Sequence, residues 1–311
     1  MKLIIQPEAG VAPVVTAIEQ AKKSVDILIF RFDRNEITQA LEAAVGRGVA
    51  VRALIAHTHT GSDKVLRKLE LRLLAAGVTV SRTDDDLIRY HGKMMIVDGR
   101  ILHVYGFNLT RLDIAKSRSL GLITKNPKLA QEALKLFRAD DTRQPYTAGN
   151  NRFIVSPENA RERLAAFISG ARKQLLIYDP QVTDDAMLRL ITQRINAGVD
   201  VRIIGRVEPK WKIAGERYPG RRLHLRAIIR DGRRAFVGSQ SLRRLQLEKR
   251  REVGLITNDR RVVKQMVDVF EQDWAQTEGG KKQGKQEKKD EKKAGKTAKK
   301  AAGALRLATA S

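Results

Sequence analysis

The chain has 311 residues, 42% of them hydrophobic, no cysteine and a formal net charge of +25. This composition excludes a disulfide scaffold and a cysteine-bound metal, and no apolar run reaches the ~18 residues that a membrane span needs. A chain this basic predicts a polyanionic partner, either nucleic acid or the anionic surface of a membrane. The N-terminus turns polar at Gln6, so we expect no secretory signal and a cytoplasmic protein, peripheral at the inner face of a membrane if it acts there.

The first elements in chain order alternate between helix and strand. Apolar residues recur at helical spacing over 12–23, an apolar strand follows over 25–30, and a second helix over 37–45 stops at glycine before a buried strand over 49–56. The same order recurs over 157–204. This alternation predicts an α/β fold with largely parallel strands.

The next segment of the first copy contains His57 and His59, followed by a helical stretch around 64–76. The two histidines are spaced like a metal pair, but no carboxylate lies nearby at ligand spacing. We interpret them as polar loop residues, and we predict neither a metal site nor a cofactor.

The two halves of the chain are an internal repeat. Residues 48–52 recur 150 positions later as 198–202, whereas residues 121–124 recur 133 positions later as 254–257. The second copy therefore lacks 17 residues, which correspond to the helical stretch of the first copy. A duplicated unit of this kind predicts two α/β repeats packed as a pseudo-symmetric pair within a monomer.

The repeat sets the predicted domain boundaries. We assign residues 1–145 to the first repeat, 146–278 to the second and 279–311 to a tail. The part of the tail from 281 onward holds ten lysines, one arginine and three acidic residues, a net charge of +8. It is poor in aromatic and β-branched residues, so we expect it to be disordered and to act as an electrostatic tether to polyanions.

Each copy ends in a predicted hairpin that presents an imidazole beside a cation. An Asp-Gly pair between two apolar runs indicates a tight turn at 98–99 and again at 231–232. Side chains two apart on a strand share a face. His91 should therefore lie beside Lys93, and His224 beside Arg226.

Two such pairs suit phosphoryl chemistry. A cation neutralises phosphoryl oxygens, and an imidazole attacks phosphorus or transfers a proton. With an unperturbed pKa of ~6.5, one imidazole can be neutral while the other is protonated near neutral pH. One nucleophile, one acid and two positive charges can cleave a phosphodiester without a metal.

These residues also carry a family resemblance. Residues 91–98 fit the HxK(x)4D signature of the phospholipase D superfamily, and residues 224–231 fit it with Arg226 in place of lysine. The segments that end at Asn108 and Ser241 are placed like the GSxN segment of that family. The resemblance covers about residues 1–275.

The resemblance implies a phosphoric diester hydrolase of the phospholipase D type. One catalytic histidine, His91 or His224, forms a covalent phosphohistidine, and the other protonates the leaving alcohol. The implied phosphate-binding residues are Lys93, Asn108, Arg226 and Ser241. Asp98 and Asp231 are expected to be structural, through hydrogen bonds around the hairpin.

A carboxylate downstream of the motif often orients a histidine in this family. Glu252 lies 28 residues after His224 and fits that role, whereas the equivalent position after His91 is Ser119. This asymmetry favours His224 as the nucleophile and His91 as the acid.

Three functions remain open from the sequence. The first is hydrolysis or transfer of the phosphatidyl group of a phospholipid, as in the lipid-acting branches that include cardiolipin synthases. The second is a nuclease of the same superfamily, which the net charge supports. The third is a polyanion-binding protein that has lost catalysis, for which Arg226 is the main support.

Overall fold

The structure is a computed structural model that describes residues 1–56, 63–291 and 294. His57 and His59 lie outside the described residues. None of the described helices is both long enough and apolar enough to cross a membrane.

The first copy follows the predicted order of helices and strands. Its strands are β1 (Lys2–Gln6), β2 (Ser24–Ile29), β3 (Ala50–Ile55), β4 (Thr79–Arg82), β5 (Arg89–Tyr90), β6 (Met94–Val97), β7 (Ile101–Tyr105) and β8 (Ser117–Thr124). Its helices are α1 (Ala12–Glu19), α2 (Asn35–Gly46), α3 (Asp63–Ala75), α4 (Arg111–Lys116) and α5 (Pro127–Asp141). The predicted helices and strands are confirmed, except that α1 ends four residues earlier than the periodicity indicated.

The second copy repeats this order without counterparts of α3 and β4. Its strands are β9 (Phe153–Ser156), β10 (Gln174–Val182), β11 (Asp200–Val207), β12 (Arg222–Leu223), β13 (Arg226–Arg230), β14 (Arg234–Gly238) and β15 (Arg250–Thr257). Its helices are α6 (Ala160–Ser169), α7 (Asp185–Asn196), α8 (Arg244–Glu248) and α9 (Arg260–Trp274). Where the first copy has α3, the second has a single 3-10 turn over Pro209–Trp211, which confirms the predicted deletion.

Each copy builds one mixed sheet. The first has the strand order β1-β8-β7-β6-β2-β3-β4, and the second has β11-β10-β13-β14-β15 with β9 also on β15. The strands β2, β3 and β4 run parallel, as do β10 and β11, but the other neighbours within each copy are antiparallel. The prediction of largely parallel strands is therefore wrong, because direct hairpins rather than helical crossovers connect the later strands.

The two hairpin turns have the geometry that their sequence predicts. Asp98 and Gly99 have φ values of 53° and 63°, and Asp231 and Gly232 have 55° and 60°. Two consecutive residues with positive φ are typical of the tight turn that fits the twist of a hairpin.

Two short strands cross between the copies. β5 of the first copy pairs in parallel with β15 of the second, and β12 of the second pairs in parallel with β8 of the first. Each of these exchanged strands immediately precedes one of the two histidine motifs. The backbone thus delivers each motif to the sheet of the other copy.

The copies also share an apolar core. Leu122 and Phe137 from the first copy pack in one cluster with Val237 and Phe270 from the second, all of them fully buried. Each copy has a further core of its own on the opposite face of its sheet. Central strands buried on both faces explain why the sequence shows continuous apolar runs instead of alternation.

The segment after the second repeat begins as a helix. Residues 278–291, here α10, are helical. The Thr277 hydroxyl accepts from the Gly280 backbone 3.0 Å away, and the Trp274 indole donates to Gln283 over 3.0 Å. Lysine, glutamine and glutamate favour a helix, with contacts between residues four apart, so the predicted disorder does not hold over 279–291. The rest of the tail, apart from residue 294, lies outside the described residues.

Candidate active site

The exchanged strands place both histidines at the boundary between the copies. The His91 backbone donates to the Arg251 carbonyl over 2.7 Å, and the His224 backbone donates to the Arg118 carbonyl over 3.1 Å. The two residues are only 8% and 6% exposed. Each imidazole is therefore held against a strand of the opposite repeat.

Glu252 orients the histidine of the other copy. Its Oε2 lies 2.8 Å from Nδ1 of His91, and its side chain is fully buried. The expectation that Glu252 would orient His224 is wrong, because β15, which carries Glu252, runs beside the exchanged strand that leads to His91. Spacing along the chain could not show this exchange.

Asp113 is the corresponding carboxylate at the second histidine. Its Oδ2 lies 3.0 Å from Nδ1 of His224, although the ring nitrogen is not aligned for a regular hydrogen bond. The same oxygen accepts from the backbone of Asn108 over 2.8 Å and from its side-chain amide over 2.6 Å, and Arg222 donates to Oδ1. These contacts fix Asp113 at the site.

The sequence analysis missed Asp113. One signal was available, since Thr110 and Asp113 form an [ST]-x-x-[DE] helix-start pattern directly after Asn108. The Thr110 hydroxyl does accept from the Asp113 backbone, over 3.3 Å. The two orienting carboxylates are not repeat equivalents, because the shift of 133 positions places Gln246 opposite Asp113 and Ser119 opposite Glu252.

Lys93 and Arg226 supply the positive charge. Lys93 is 3% exposed; its Nζ donates to the His91 carbonyl and lies 5.4 Å from the centre of the Phe30 ring. Arg226 donates through Nε to the Ser241 hydroxyl over 3.1 Å, and its buried Nη1 has no hydrogen-bond partner in the described part of the chain. A buried donor without a partner indicates a position that a ligand can fill.

Asn108 and Asp179 complete the surroundings of these cations. Asn108 is 5% exposed, and its buried Oδ1 accepts no hydrogen bond from the residues described. Asp179 is buried, accepts from the Leu242 backbone over 2.6 Å and attracts the Arg226 guanidinium. Burial raises the pKa of Asp179 to about 6, against the hydrogen bond from Leu242.

Both imidazoles are neutral at neutral pH. Burial, supported by the charge of Lys93, lowers the pKa of His91 to about 3 although Glu252 opposes the shift. Burial and the charge of Arg226 lower the pKa of His224 to about 4 against the effect of Asp113. A bound phosphate anion would neutralise the two cations, so it would raise both pKa values again.

The carboxylates stay ionised beside them. Burial raises the pKa of Glu252, but its contact with His91 and the charge of Lys93 outweigh that effect and lower it overall. Burial likewise raises the pKa of Asp113, while His224, the Asn108 backbone and Arg222 lower it to a net value below the usual one. An ionised carboxylate beside Nδ1 favours the neutral tautomer with its proton on Nδ1, which leaves Nε2 with the free lone pair.

The packing at Gly92 explains the small residue inside the first motif. A Cβ at this position would come within 2.8 Å of Val253 from the second copy and 3.0 Å of Leu28 from the first. A side chain there would force Val253 and Leu28 to shift at the contact between the copies, next to Glu252.

Asp98 and Asp231 anchor the hairpins at the ends remote from the histidines. The Asp98 carboxylate accepts from the backbones of Lys22, Lys23 and Ser24, at 2.6–3.1 Å. The Asp231 carboxylate accepts from the repeat-equivalent backbones of Arg172, Lys173 and Gln174. Both contacts tie the hairpin turn to the start of the neighbouring strand, as expected of a structural residue.

Among the described residues, no group of three or more histidine, aspartate or glutamate side chains could hold a metal ion. What the arrangement offers instead is two oriented imidazoles, two cations and an amide.

A comparison with known proteins finds these residues inside a family match. The family described as "Cardiolipin synthase, PLD-like domain" matches residues 14–140 and 206–274, which include both histidine motifs, Asp113 and Glu252. A curated relative, the mitochondrial cardiolipin hydrolase of Danio rerio, is 33% identical over 129 residues, which are 39% of this chain and 54% of that protein. The chain thus spans about half the length of the curated relatives it matches.

Solved structures share the fold over most of the chain. A polyphosphate kinase from Porphyromonas gingivalis aligns with a TM-score of 0.73 and 19% identity, over 87% of this chain and 46% of that one. A phosphatidylserine synthase from Haemophilus influenzae aligns with a TM-score of 0.64 and 12% identity, over 86% of this chain and 84% of that one. The second likeness extends over both repeats of this chain and most of the other protein.

Proposed function

Because the chain belongs to the family of phospholipase D-like domains of the cardiolipin synthase type, we propose that it cleaves a phosphodiester through a phosphohistidine intermediate without a metal. The observation that carries the proposal is reciprocal: each of two buried imidazoles has its Nδ1 beside a carboxylate of the other copy. Orientation of an imidazole by a buried carboxylate is the arrangement that nucleophilic and acid–base catalysis requires.

His91 is the nucleophile in this proposal. Its contact with Glu252 is an aligned hydrogen bond to a residue without solvent exposure, and its pKa is the lower of the two, about 3. The Asp113 carboxylate, in contrast, contacts His224, Asn108 and Arg222 at the same time. His224, with a pKa of about 4, takes up a proton more readily when an anion binds and acts as the acid. The sequence argument for the opposite assignment depended on Glu252 orienting His224, which it does not.

The reaction proceeds in two displacements. In the first, Nε2 of His91 forms a bond to phosphorus, the bond to the leaving oxygen breaks, and His224 gives its proton to that oxygen to release an alcohol. In the second, His224, now neutral, takes a proton from water while the water oxygen attacks phosphorus and the phosphorus–nitrogen bond breaks. The products are an alcohol and a phosphomonoester, and both histidines return to their starting states.

The phosphate oxygens are held by the two buried cations of the site, Arg226 and Lys93. The unpartnered Nη1 of Arg226 and the ammonium of Lys93 neutralise negative charge that develops at phosphorus. Arginine presents a fixed fork where the family motif has a lysine, and the Ser241 hydroxyl holds that fork in place.

A phospholipid is the substrate we propose. The curated relative named above is a cardiolipin hydrolase, and one protein of the same fold is a phosphatidylserine synthase. A nucleic-acid phosphodiester is the second candidate, favoured by the formal net charge of +25.

Two measurements test the chemistry. Purified protein is assayed in the presence of EDTA on phosphatidylcholine, phosphatidylglycerol, and single- and double-stranded DNA; we expect turnover of lipid that EDTA leaves unchanged.

With a p-nitrophenyl phosphodiester, the His224→Asn variant should accumulate a phosphorylated enzyme whose adduct maps to His91 by mass spectrometry. His103, a buried histidine in hydrogen-bond contact with Tyr105, serves as the internal control and should carry no adduct. Phosphorylation at another residue, or turnover that EDTA abolishes and a divalent ion restores, would contradict the proposal.

A further inference from the structure

A cavity lies in the first copy, on the face of its sheet that is turned away from the second copy. Its volume of about 510 Å³ is within the ~300–1,000 Å³ range of small-molecule sites. Residues of α1 line one side of it, and residues of β1, β7 and β8 line the other. Asp98 also lines it, which places the cavity at the end of the hairpin remote from the histidine motif. The cavity is therefore separate from the candidate active site.

The lining of the cavity is mostly apolar. Small residues of α1 and of the turn before it leave the space open, and aliphatic side chains of the sheet lie opposite them. The apolar lining residues are Leu3, Ile4, Ala9, Ala12, Pro13, Ala17, Val97, Ile101 and Ile123. Such a lining favours a ligand with an aliphatic body.

The second copy fills the equivalent space with side chains. The shift of 150 positions places Phe167 opposite Ala17, and the shift of 133 positions places Phe236 opposite His103. Both phenylalanines are buried, and the Arg230 guanidinium lies 5.0 Å from the centre of the Phe167 ring. The fold does not require the cavity, since the same unit packs without one in the second copy.

A buried imidazole lines the cavity with one ring nitrogen unused. His103 is 1% exposed. Its Nδ1 lies 3.0 Å from the Tyr105 hydroxyl, whereas its Nε2 forms no hydrogen bond with a described residue. Burial, followed by the charge of Lys2, lowers the pKa of His103 to about 4, so the ring is neutral at neutral pH. The hydroxyl satisfies its own proton by donating to Nδ1, which leaves Nε2 protonated as a donor for a ligand.

Two lysines stand close to this donor. The strand register pairs Ile123 with Lys2 on one side and with His103 on the other, so Lys2 and His103 are two strand spacings apart, about 10 Å. Lys125 follows Ile123 by two residues and lines the same cavity. Both lysines are exposed and form no ion pair with a described residue. Three nitrogen donors therefore surround Ile123.

We propose that this cavity binds a fatty acid, with its carboxylate held by His103, Lys2 and Lys125 and its aliphatic chain against α1. A carboxylate accepts charge-assisted hydrogen bonds from ammonium groups, and burial of the chain against apolar walls is favourable. Asp98, the carboxylate among the described lining residues, is already bound by the backbones of residues 22–24. The proposal does not depend on the proposed function, because His91 and His224 are not part of this site.

Calorimetry on the full chain tests the class of ligand. Sodium decanoate is titrated below its critical micelle concentration, together with hexanoate, octanoate and the cation decyltrimethylammonium. We expect one saturable site whose affinity rises about fourfold for each added methylene group, the increment of a buried CH₂. The cation should bind at least about tenfold more weakly than decanoate, because it loses the charged hydrogen bonds. Equal affinity for both amphiphiles would overturn the proposal, as would tighter binding of decyl phosphate by about tenfold or more.

Two variants test the position of the ligand. Ala17→Phe introduces the residue that fills the space in the second copy and should lower decanoate affinity at least about tenfold, since the ring displaces several methylene groups. Lys2→Gln/Lys125→Gln keeps the space and changes exposed side chains only; it should also lower decanoate affinity about tenfold without weakening the binding of the cation. Turnover of a soluble phosphodiester should be the same in Ala17→Phe as in the unmodified chain.

Matched controls place the same changes outside the cavity. Glu19→Phe adds the ring to an exposed position of α1, and Lys68→Gln/Lys173→Gln removes two exposed charges elsewhere. Both should leave decanoate affinity within about twofold, because exposed charges remote from the cavity are screened. Losses as large in the controls as in the cavity variants would overturn the proposal, as would unchanged affinity in Lys2→Gln/Lys125→Gln.

Nuclear magnetic resonance of the histidine rings gives a readout at the proposed donor itself. With ¹⁵N-labelled histidine, decanoate should shift the Nε2 resonance of His103 and leave those of His91 and His224 in place, and His103→Phe assigns the signal. Shifts at His91 and His224 with none at His103 would place the fatty acid at the candidate active site and overturn the proposal.

Discussion

Glu252 of the second repeat holds His91 of the first, with 2.8 Å between Oε2 and Nδ1. The reciprocal contact joins Asp113 of the first repeat to His224 of the second over 3.0 Å. Neither histidine is oriented from within its own copy, so the site exists only where the copies meet.

Substitutions of the two carboxylates should have effects that differ with the leaving group of the substrate. Under the proposed assignment, Asp113→Asn weakens the general acid, and Glu252→Gln weakens the nucleophile. In a single turnover, Asp113→Asn should slow cleavage of an alkyl alcohol by about a hundredfold and release of p-nitrophenol far less, because p-nitrophenolate leaves without a proton. Glu252→Gln should slow both substrates alike. The reverse pattern would make His224 the nucleophile.

The histidines should act as one unit. His91→Asn and His224→Asn should each lower kcat on a phospholipid by about a thousandfold or more, and the double variant should be scarcely worse, since residues of one catalytic unit are not additive. Circular dichroism and thermal unfolding check that all three proteins fold. Losses that multiply would show that the two imidazoles act at separate sites.

Anion binding should take up protons. His224 has a pKa of about 4 in the free protein, and a bound dianion raises it, so the bound state holds more protons at any pH between the two pKa values. Sulfate affinity should therefore increase as pH falls from neutrality and level off only below the pKa values of the free protein, about 4 for His224 and about 3 for His91. Calorimetry in buffers of different ionisation enthalpy measures the uptake. His224→Asn should reduce it, and a pH-independent affinity would contradict the shift.

Acid should destabilise the free protein through the same groups. The pKa values of His91 and His224 are depressed to about 3 and about 4, below the ~6.5 of an unfolded histidine. The unfolded chain therefore binds more protons below about pH 6.5, so this contribution to stability is fully present only above about pH 6.5 and is lost as the pH falls toward the folded pKa values. Urea unfolding from pH 7 to 4.5 measures this slope, which should be smaller in His91→Asn/His224→Asn.

Arg226 tests whether the second motif is active or degenerate. Arg226→Ala should lower kcat/KM by about ten- to a hundredfold, the range expected for one charged hydrogen bond to phosphate. Arg226→Lys restores the charge of the family motif, and with Ser241→Asn it restores the second motif more fully. That double variant should retain or exceed the activity of the unmodified chain. Full activity in Arg226→Ala would show that this residue does not bind the phosphate.

The sequence predicted those features that repeat along the chain. The hairpin turns at Asp98 and Asp231 and the two histidine motifs are local patterns of a few residues. The duplication and the deletion opposite α3 follow from comparing two such patterns along the chain. Glu252 and Asp113 could not be paired with their histidines in that way. Their partners are decided by the exchange of β5 and β12, two strands of two residues each, which are too short to carry a periodic signal.

The tail shows a different limit. Composition indicated disorder because the segment after Trp274 has little apolar surface to bury. Hydrogen bonds of Thr277 and Gln283 nevertheless accompany a helix at its start. Low hydrophobicity predicts the absence of a core, but it does not exclude a solvated helix.

The exchanged strands have a consequence for how the two halves can change over generations. In a dimer of two identical chains, one substitution changes both halves of the site, so a carboxylate lost from one half is also lost from the other. In the fused chain each half needs only the carboxylate that contacts the histidine of the other half, and the equivalent positions, Ser119 and Gln246, carry no carboxylate. Each half carries the carboxylate that orients the histidine of the other half. Either half alone would therefore keep its histidine motif but lack the carboxylate that orients it.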